Sequence, residues 1–215
     1  MVRALELGEL APLAEVEHLF PTTSSSSSSF FRAGVHANGS CFYHSLAYAL
    51  NADDFHRHSR ASQRSIGHNL RRSLQRRLLR GGEHRWRAFW RGKGVTSPPA
   101  MRDVCAAMRD LSEWADVWAI AYTMETLRLN LLFFDLTTAT LYCGVGNFDA
   151  RKFPRTVMVA WINNSHFEPI VERVGTSHRS IFPTNGALVR HIERNYERAC
   201  KNVALKDVVD VAQVG

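Results

Sequence analysis

In the stretch ANGSCFYHSLAYAL, residues 37–50, a cysteine sits where a turn of small residues gives way to a helical pattern. A thiol is a weak nucleophile at neutral pH, its resting pKa being about 8.5. A helix beginning at Cys41 would aim unsatisfied N–H groups and the positive end of its dipole at the sulfur. An imidazolium partner would complete the activation. Gly39 and Ser40 are small enough for a substrate carbonyl to approach the backbone. The N–H of Cys41 and an N–H from the preceding turn would then form an oxyanion hole. The plain alternative is a packing cysteine at a helix start, the usual role of a free cysteine. Cys105, Cys143 and Cys200 lie in apolar patterns and read as packing residues.

A partner imidazole must come from elsewhere in the chain. Of the ten histidines, His18, His56, His58, His68, His84, His178 and His191 sit among polar or charged residues, where a solvated surface is the default. His36 and His44 are near Cys41 in sequence, and His44 reads as packing beside the helix start. His166 differs: it falls between the polar turn Asn163-Asn164-Ser165 and an apolar, strand-like run. A hairpin tip holds a side chain exposed and rigid. Glu168 follows at +2, on the same face of a strand. Its carboxylate would accept the Nδ1–H of His166 and leave Nε2 toward the thiol, as the third member of a triad does. Asn164, at −2, is the alternative third member, as is Asn163 if the turn folds back. A solvent-facing strand acid is the structural alternative for Glu168.

The elements that must position these residues follow from the period of the pattern. Helix is predicted from Cys41 to Leu50, and again over 59–80, where Ile66, Leu70, Leu74 and Leu78 step by four. Arg64, Arg71, Arg72, Arg76 and Arg77 fill the rest of that helix, and Gly81-Gly82 should end it. Trp86, Phe89 and Trp90 suggest a short further helix. Two more are expected, from Pro99–Met101 to about Leu111 and from Trp114 to about Leu127. Then β-branched and aromatic residues dominate, predicting strands over 129–136, 140–144, 156–162 and 167–174. Helix returns at about 187–200. Helices first, then strands joined by short turns, argue for an α+β fold with one mixed sheet. An N-terminal helix is expected at about 3–19, and six consecutive serines mark 22–29 as a linker. The organisation expected is a helical extension with linker over 1–29, a catalytic domain over 30–175 and a helical C-terminal extension over 176–215.

A chain of 215 residues, 45% hydrophobic, suits one globular domain. No apolar run is long enough to span a bilayer, so a membrane is not an expected partner. Glu6, Glu9, Glu15 and Glu17 make the N-terminus a poor signal peptide. The four cysteines show no paired spacing, which argues against a disulfide framework or a zinc site and for a reducing cytosol. The net charge of +7 is uneven: Arg57 to Lys93 holds twelve Arg or Lys against one acid, Glu83, or +11, leaving 7 − 11 = −4 elsewhere. An arginine stripe beside a leucine stripe reads first as a solvated helix packed on its apolar face, so nucleic acid is not the leading partner; an RNA-binding protein using the 57–93 segment, or an anionic membrane surface, is the alternative. A monomer is expected.

Three blocks, in order, resemble one known family. Asn38-Gly39-Ser40-Cys41-Phe42-Tyr43-His44-Ser45-Leu46-Ala47 resembles the nucleophile motif of the ovarian tumour (OTU) cysteine deubiquitinases, and its Phe-Tyr-His-Ser continuation looks most like the viral members. Glu113-Trp114-Ala115 is similar to the family's Trp before a long helix. Val157 to Glu168 resembles its strand–turn–His-aromatic-acid block. Together they span about residues 34–172. The resemblance implies a papain-like α+β fold with a central mixed sheet flanked by helices. It implies a thiol isopeptidase acting on ubiquitin or ubiquitin-like conjugates through a Cys41 thioester, without metal or organic cofactor, in the host cytosol and against host ubiquitin signalling if viral. His166 would be its base, Glu168 or Asn164 its third member, Asn38 and Cys41 its oxyanion hole. Gly39, Trp114 and Phe167 would line the groove for the modifier's tail, with Trp114 near His166; a core Trp is the alternative. Three positions depart from the family pattern, Asn38 for Asp, Ser40 for Asn and Glu168 for Asp or Asn, and those at Asn38 and Glu168 motivate an alternative: a catalytically impaired OTU domain that only binds ubiquitin. Because ubiquitin's tail is basic, the +11 segment is expected away from the active site.

Overall fold

The computed structural model describes residues 2–20, 30–55, 57–143 and 152–201. The serine run expected to be a linker lies outside them, as do the side chains of Cys143 and Cys200.

The chain begins with a short strand, β1 (Leu10–Pro12), and a 3-10 helix (Ala14–Leu19), then enters β2 (Phe30–Ala33). Helices follow: α1 (Cys41–Leu50), α2 (Ala52–Phe55), α3 (Arg60–Arg91), α4 (Met101–Arg109) and α5 (Val117–Leu127). Then come β3 (Asn130–Asp135), β4 (Thr140–Cys143), β5 (Arg155–Ile162), β6 (His166–Val174), β7 (Ser177–Arg179), β8 (Ile181–Pro183) and α6 (Ala187–Lys201). The strands form one sheet in the order β1-β2-β6-β5-β3-β4, with β7 on β6 and β8 on β5. The β3–β5 pair is parallel and the others are antiparallel, so the sheet is mixed and the fold is α+β.

Strand alternation divides the core into two layers. Leu131, Phe133, Val157, Val159, Phe167 and Val171 face α1, α3, α4 and α5. Their even-numbered neighbours Leu132, Phe134, Met158, Ala160, Ile162 and Ile170 face the N-terminal segment and α6. A sheet covered on both faces reads as unbroken apolar runs, as LNLLFFDL and TVMVAWI do.

The N-terminal segment is therefore not a helical extension. Pro12 and Gly8 interrupt any helix, and Leu13, Val16, Leu19 and Phe20 are buried under the sheet. The segment after residue 176 likewise returns to the sheet as β7 and β8 before α6 begins. The helix predicted over 59–80 is interrupted at Gly82, as the Gly81-Gly82 pair suggests: Gly82 leaves the helical region at φ 72°, and the short further helix expected around Trp86–Trp90 follows as the second arm of α3. Helix α5 starts at Val117, capped by the Asp116 carboxylate, and leaves Trp114 in the preceding turn.

Candidate active site

Cys41 is the first residue of α1, as the small-residue turn requires, and it lies 2% exposed at the sheet. Helix α1 packs across β6, where the Ser45 hydroxyl donates to the Phe167 carbonyl at 2.9 Å. That bond seats the helix one residue from His166, which opens β6 after the turn 163–165. Asn163 (φ 48°) and Asn164 (φ 55°) make that turn in the left-handed region, which asparagine tolerates best after glycine.

Here the thiol of Cys41 and the ring of His166 meet. Burial alone would push the His166 ring toward neutrality; its bond to Cys41 and the Glu168 carboxylate outweigh burial and raise its pKa to about 9. Glu168 is fully buried, on the face of the sheet that the N-terminal segment covers. Its Oε1 stands 3.5 Å from His166 Nε2, an ion-pair distance too long for a hydrogen bond. The reason is competition. Oε1 also accepts the Leu5 N–H at 2.6 Å, and Oε2 accepts an Arg32 N–H at 2.9 Å. The longer glutamate, held outward by these donors, meets the ring at its far nitrogen. The expected orientation is thus reversed: Nε2 faces Glu168, and Nδ1 is the nitrogen left for the thiol. Asn164, the alternative third member, is exposed in the turn, while the Asn163 amide donates to the Val2 carbonyl.

Other expected positions need correction. Phe167 is not a groove residue. It points into the core against Phe42, Phe133 and Trp161, because odd-numbered β6 residues face the helices. Trp114 is 45% exposed on the turn before α5, and among the described residues it makes no ring contact with His166. Gly39 is filled from behind: a Cβ there would fall 2.2 Å from the Ser112 carbonyl oxygen, so the turn 110–116 lies directly on it. At the expected oxyanion hole, the Cys41 N–H donates to the Asn38 carbonyl at 2.9 Å, and Ser40 N–H donates to the Asn38 side chain. The Cys41 amide is therefore engaged in this state.

The residue that the sequence pattern concealed is Arg71. It is not in the solvated stripe but 1% exposed, and all five of its N–H donors are used. Nη1 donates to the Gly39 carbonyl and the Ser40 hydroxyl at 2.9 and 2.8 Å. Nε and Nη2 donate to the Met108, Ala107 and Glu113 carbonyls at 3.1, 2.7 and 2.7 Å. One guanidinium thus ties the nucleophile turn to the end of α4 and the turn before α5. The signal was available: Gly67, Arg71, Leu74 and Leu78 share one helix face, so the arginine occupies a core position.

The +11 segment is accordingly not remote from the cysteine. Gly67 lies against His44, where an added Cβ would fall 2.2 Å from Nδ1. His36, His44 and His68 cluster beside the nucleophile turn, with ring centroids 4.9 to 6.4 Å apart. His44 is 1% exposed, its Nε2 has no hydrogen-bond partner among the described residues, and burial, reinforced by its neighbouring histidines, lowers its pKa to about 3. His68 Nε2 lies 3.0 Å from the Asn38 amide nitrogen. Among the described residues no group of three or more His, Cys, Asp or Glu is arranged to hold a metal ion, and no helix is long and apolar enough to cross a membrane.

The sequence matches no profile of a known protein family and no curated protein. The structure is similar to solved OTU domains. One, an OTU domain in complex with ubiquitin, is 14% identical, with 99% of this chain and 98% of that chain covered and a TM-score of 0.55. Two others are the viral OTU domain protease from Qalyub virus (10% identical, 77% and 91% covered, TM-score 0.45) and the Hazara virus OTU bound to ubiquitin (13%, 80% and 94%, 0.41). The first carries the assignment: this chain has an OTU-like fold.

Proposed function

We propose that the protein is a thiol-dependent ubiquitinyl hydrolase of the OTU type, which cleaves ubiquitin or a ubiquitin-like modifier from its conjugates. The observation that carries this reading is the contact of the Cys41 thiol, at the start of α1, with a His166 ring whose pKa is raised to about 9. Charged at neutral pH, that ring supplies the positive partner a sulfur nucleophile needs. The OTU-like fold, and the ubiquitin bound to the solved domain it resembles, supply the substrate class.

In this reading Cys41 Sγ attacks the carbonyl carbon at the modifier's C-terminal glycine. His166 gives its proton to the leaving lysine amine as the C–N bond breaks. Water, deprotonated by His166, then hydrolyses the thioester, returning the thiol and the free carboxylate. Glu168 holds the ring and balances its charge. Arg71 holds the turn 38–40 from which the oxyanion donors come. The Cys41 N–H becomes available once the 38–41 turn releases the Asn38 carbonyl. A viral chain acting in the host cytosol is the setting that the Phe42-Tyr43-His44-Ser45 motif favours.

A second reading, an OTU domain that binds ubiquitin without cleaving it, is favoured by the 2% exposure of Cys41 and by the engaged Cys41 amide. A ubiquitin carrying a C-terminal electrophile separates the two. Covalent capture by wild type, lost in Cys41→Ala and His166→Ala, with hydrolysis of ubiquitin chains, establishes the enzyme. Tight binding without capture establishes the binding module.

A further inference from the structure

The arginines of α3 that are not buried form a surface of their own. Arg72, Arg76 and Arg80 follow one another at steps of four, about 6 Å of rise each, with Arg77 beside them. All four are exposed, as are the uncharged Ser73 among them and Ser65 and Asn69 in the preceding turns. Arg64 and Arg60 extend the basic surface toward the helix start. Among the described residues no carboxylate pairs with any of these six. The opposite face is fixed in the core by Gly67, Arg71, Leu74 and Leu78, so the helix cannot turn these charges elsewhere.

The chemistry of the face selects its partner. Arginine, with a planar fork of donors, matches phosphate oxygens in pairs. A face meant for a membrane would carry several large apolar side chains beside its cations, and here Leu79 alone, 43% exposed, is of that kind. A face meant for single strands would offer aromatic rings for base stacking, and it offers none among its exposed residues. A rigid row of unpaired guanidinium groups without stacking rings fits a rigid row of phosphates. We propose that the arginine face of α3 centred on Arg72, Arg76, Arg77 and Arg80 docks on the phosphate backbone of a nucleic-acid duplex. This second surface does not depend on the hydrolase reading, and its binding has no base specificity.

The test is fluorescence anisotropy of the full chain with a short labelled RNA duplex and a DNA duplex of the same length. Three or four phosphate contacts give a slope of about −3 in log affinity against log salt, or a loss of about 60-fold between about 50 and 200 mM. Arg72→Glu/Arg76→Glu/Arg80→Glu should abolish binding at the lower salt. Arg155→Glu/Arg190→Glu/Arg194→Glu, three exposed arginines elsewhere with the same charge change, should bind within about threefold of wild type. Circular dichroism checks that both variants fold, and the milder triple Arg→Gln variant at 72, 76 and 80 should fall between them. Three results would each overturn the proposal. They are no duplex binding at the lower salt, equal losses in the two reversal variants, and tighter binding to polyglutamate or phosphatidylserine vesicles than to duplex at equal charge concentration.

Discussion

Replacing Glu168 by glutamine is the sharpest probe of the site, because the structure fixes what the amide must face. The carboxylate accepts the Leu5 N–H and an Arg32 guanidinium N–H, and the His166 ring stands at ion-pair distance. An amide has a single acceptor oxygen, so its NH₂ must be aimed at another donor. Arg32, 5% exposed, loses its only anionic partner among the described residues. Breaking a buried pair by removing one member costs about 3–5 kcal/mol. For a chain of this size each kcal/mol moves Tm by about 2–4 °C, so a fall of about 6–20 °C is expected. Urea and thermal melts of wild type, Glu168→Gln, Arg32→Met and the double variant close the cycle. The double variant should be more stable than the two single losses predict, because it leaves no buried cation without an anion. The pH profile of Cys41 alkylation, followed by mass spectrometry, should also lose part of its alkaline limb, because Glu168 is one of the groups that raise the His166 pKa. A Glu168→Gln loss below about 1 kcal/mol, or strictly additive single losses, would refute this account of the carboxylate.

Three further outcomes are expected. Arg71→Met keeps the volume but removes the donor from five acceptors, three of them in buried bonds; hydrogen bonds to a charged group contribute about 1.5–3 kcal/mol each, so a loss above about 4 kcal/mol and slower ubiquitin capture are expected. Gly67→Ala should cost about 1–3 kcal/mol in a urea melt, since its Cβ meets both the His44 ring and its Cα. Proton linkage gives opposite signs at two histidines. The raised His166 pKa contributes stability that is full below about 6.5 and lost as pH rises through about 9, up to about 3 kcal/mol, and His166→Gln should erase that alkaline loss. The lowered His44 pKa contributes stability present above about 6.5 and lost as pH falls toward about 3, about 2 kcal/mol of it by pH 5, and His44→Gln should flatten that acid limb.

Strands β3 to β6, the five longer helices after residue 40 and the mixed sheet were legible from their periodic or apolar runs, whereas β1, β7 and β8, three residues each, are too short to leave a pattern. Cys41 and His166 were legible because each interrupts a pattern: one at a helix start, the other between a turn and a strand. Glu168 was placed on the correct face by parity alone, but the nitrogen it meets depends on Arg32 and on Leu5, which lie more than 130 residues away in sequence. Phe167 was misassigned because its neighbour's chemistry outweighed its own parity. Arg71 was misassigned because composition grouped it with exposed arginines although its helix face is apolar. The segment at 3–19 failed because Leu, Ala and Glu favour a helix locally while pairing with β2 draws residues 10–12 into the sheet.

The Leu5 contact reaches Glu168 through the main chain, so every side chain but one preserves it. Alanine at position 5 would report only the loss of a buried leucine and would leave the hydrogen bond in place. Only an imino acid, or loss of the segment itself, would remove that N–H. A main-chain group can thus hold a carboxylate 163 residues further along by a bond that substitution of its own side chain does not reveal.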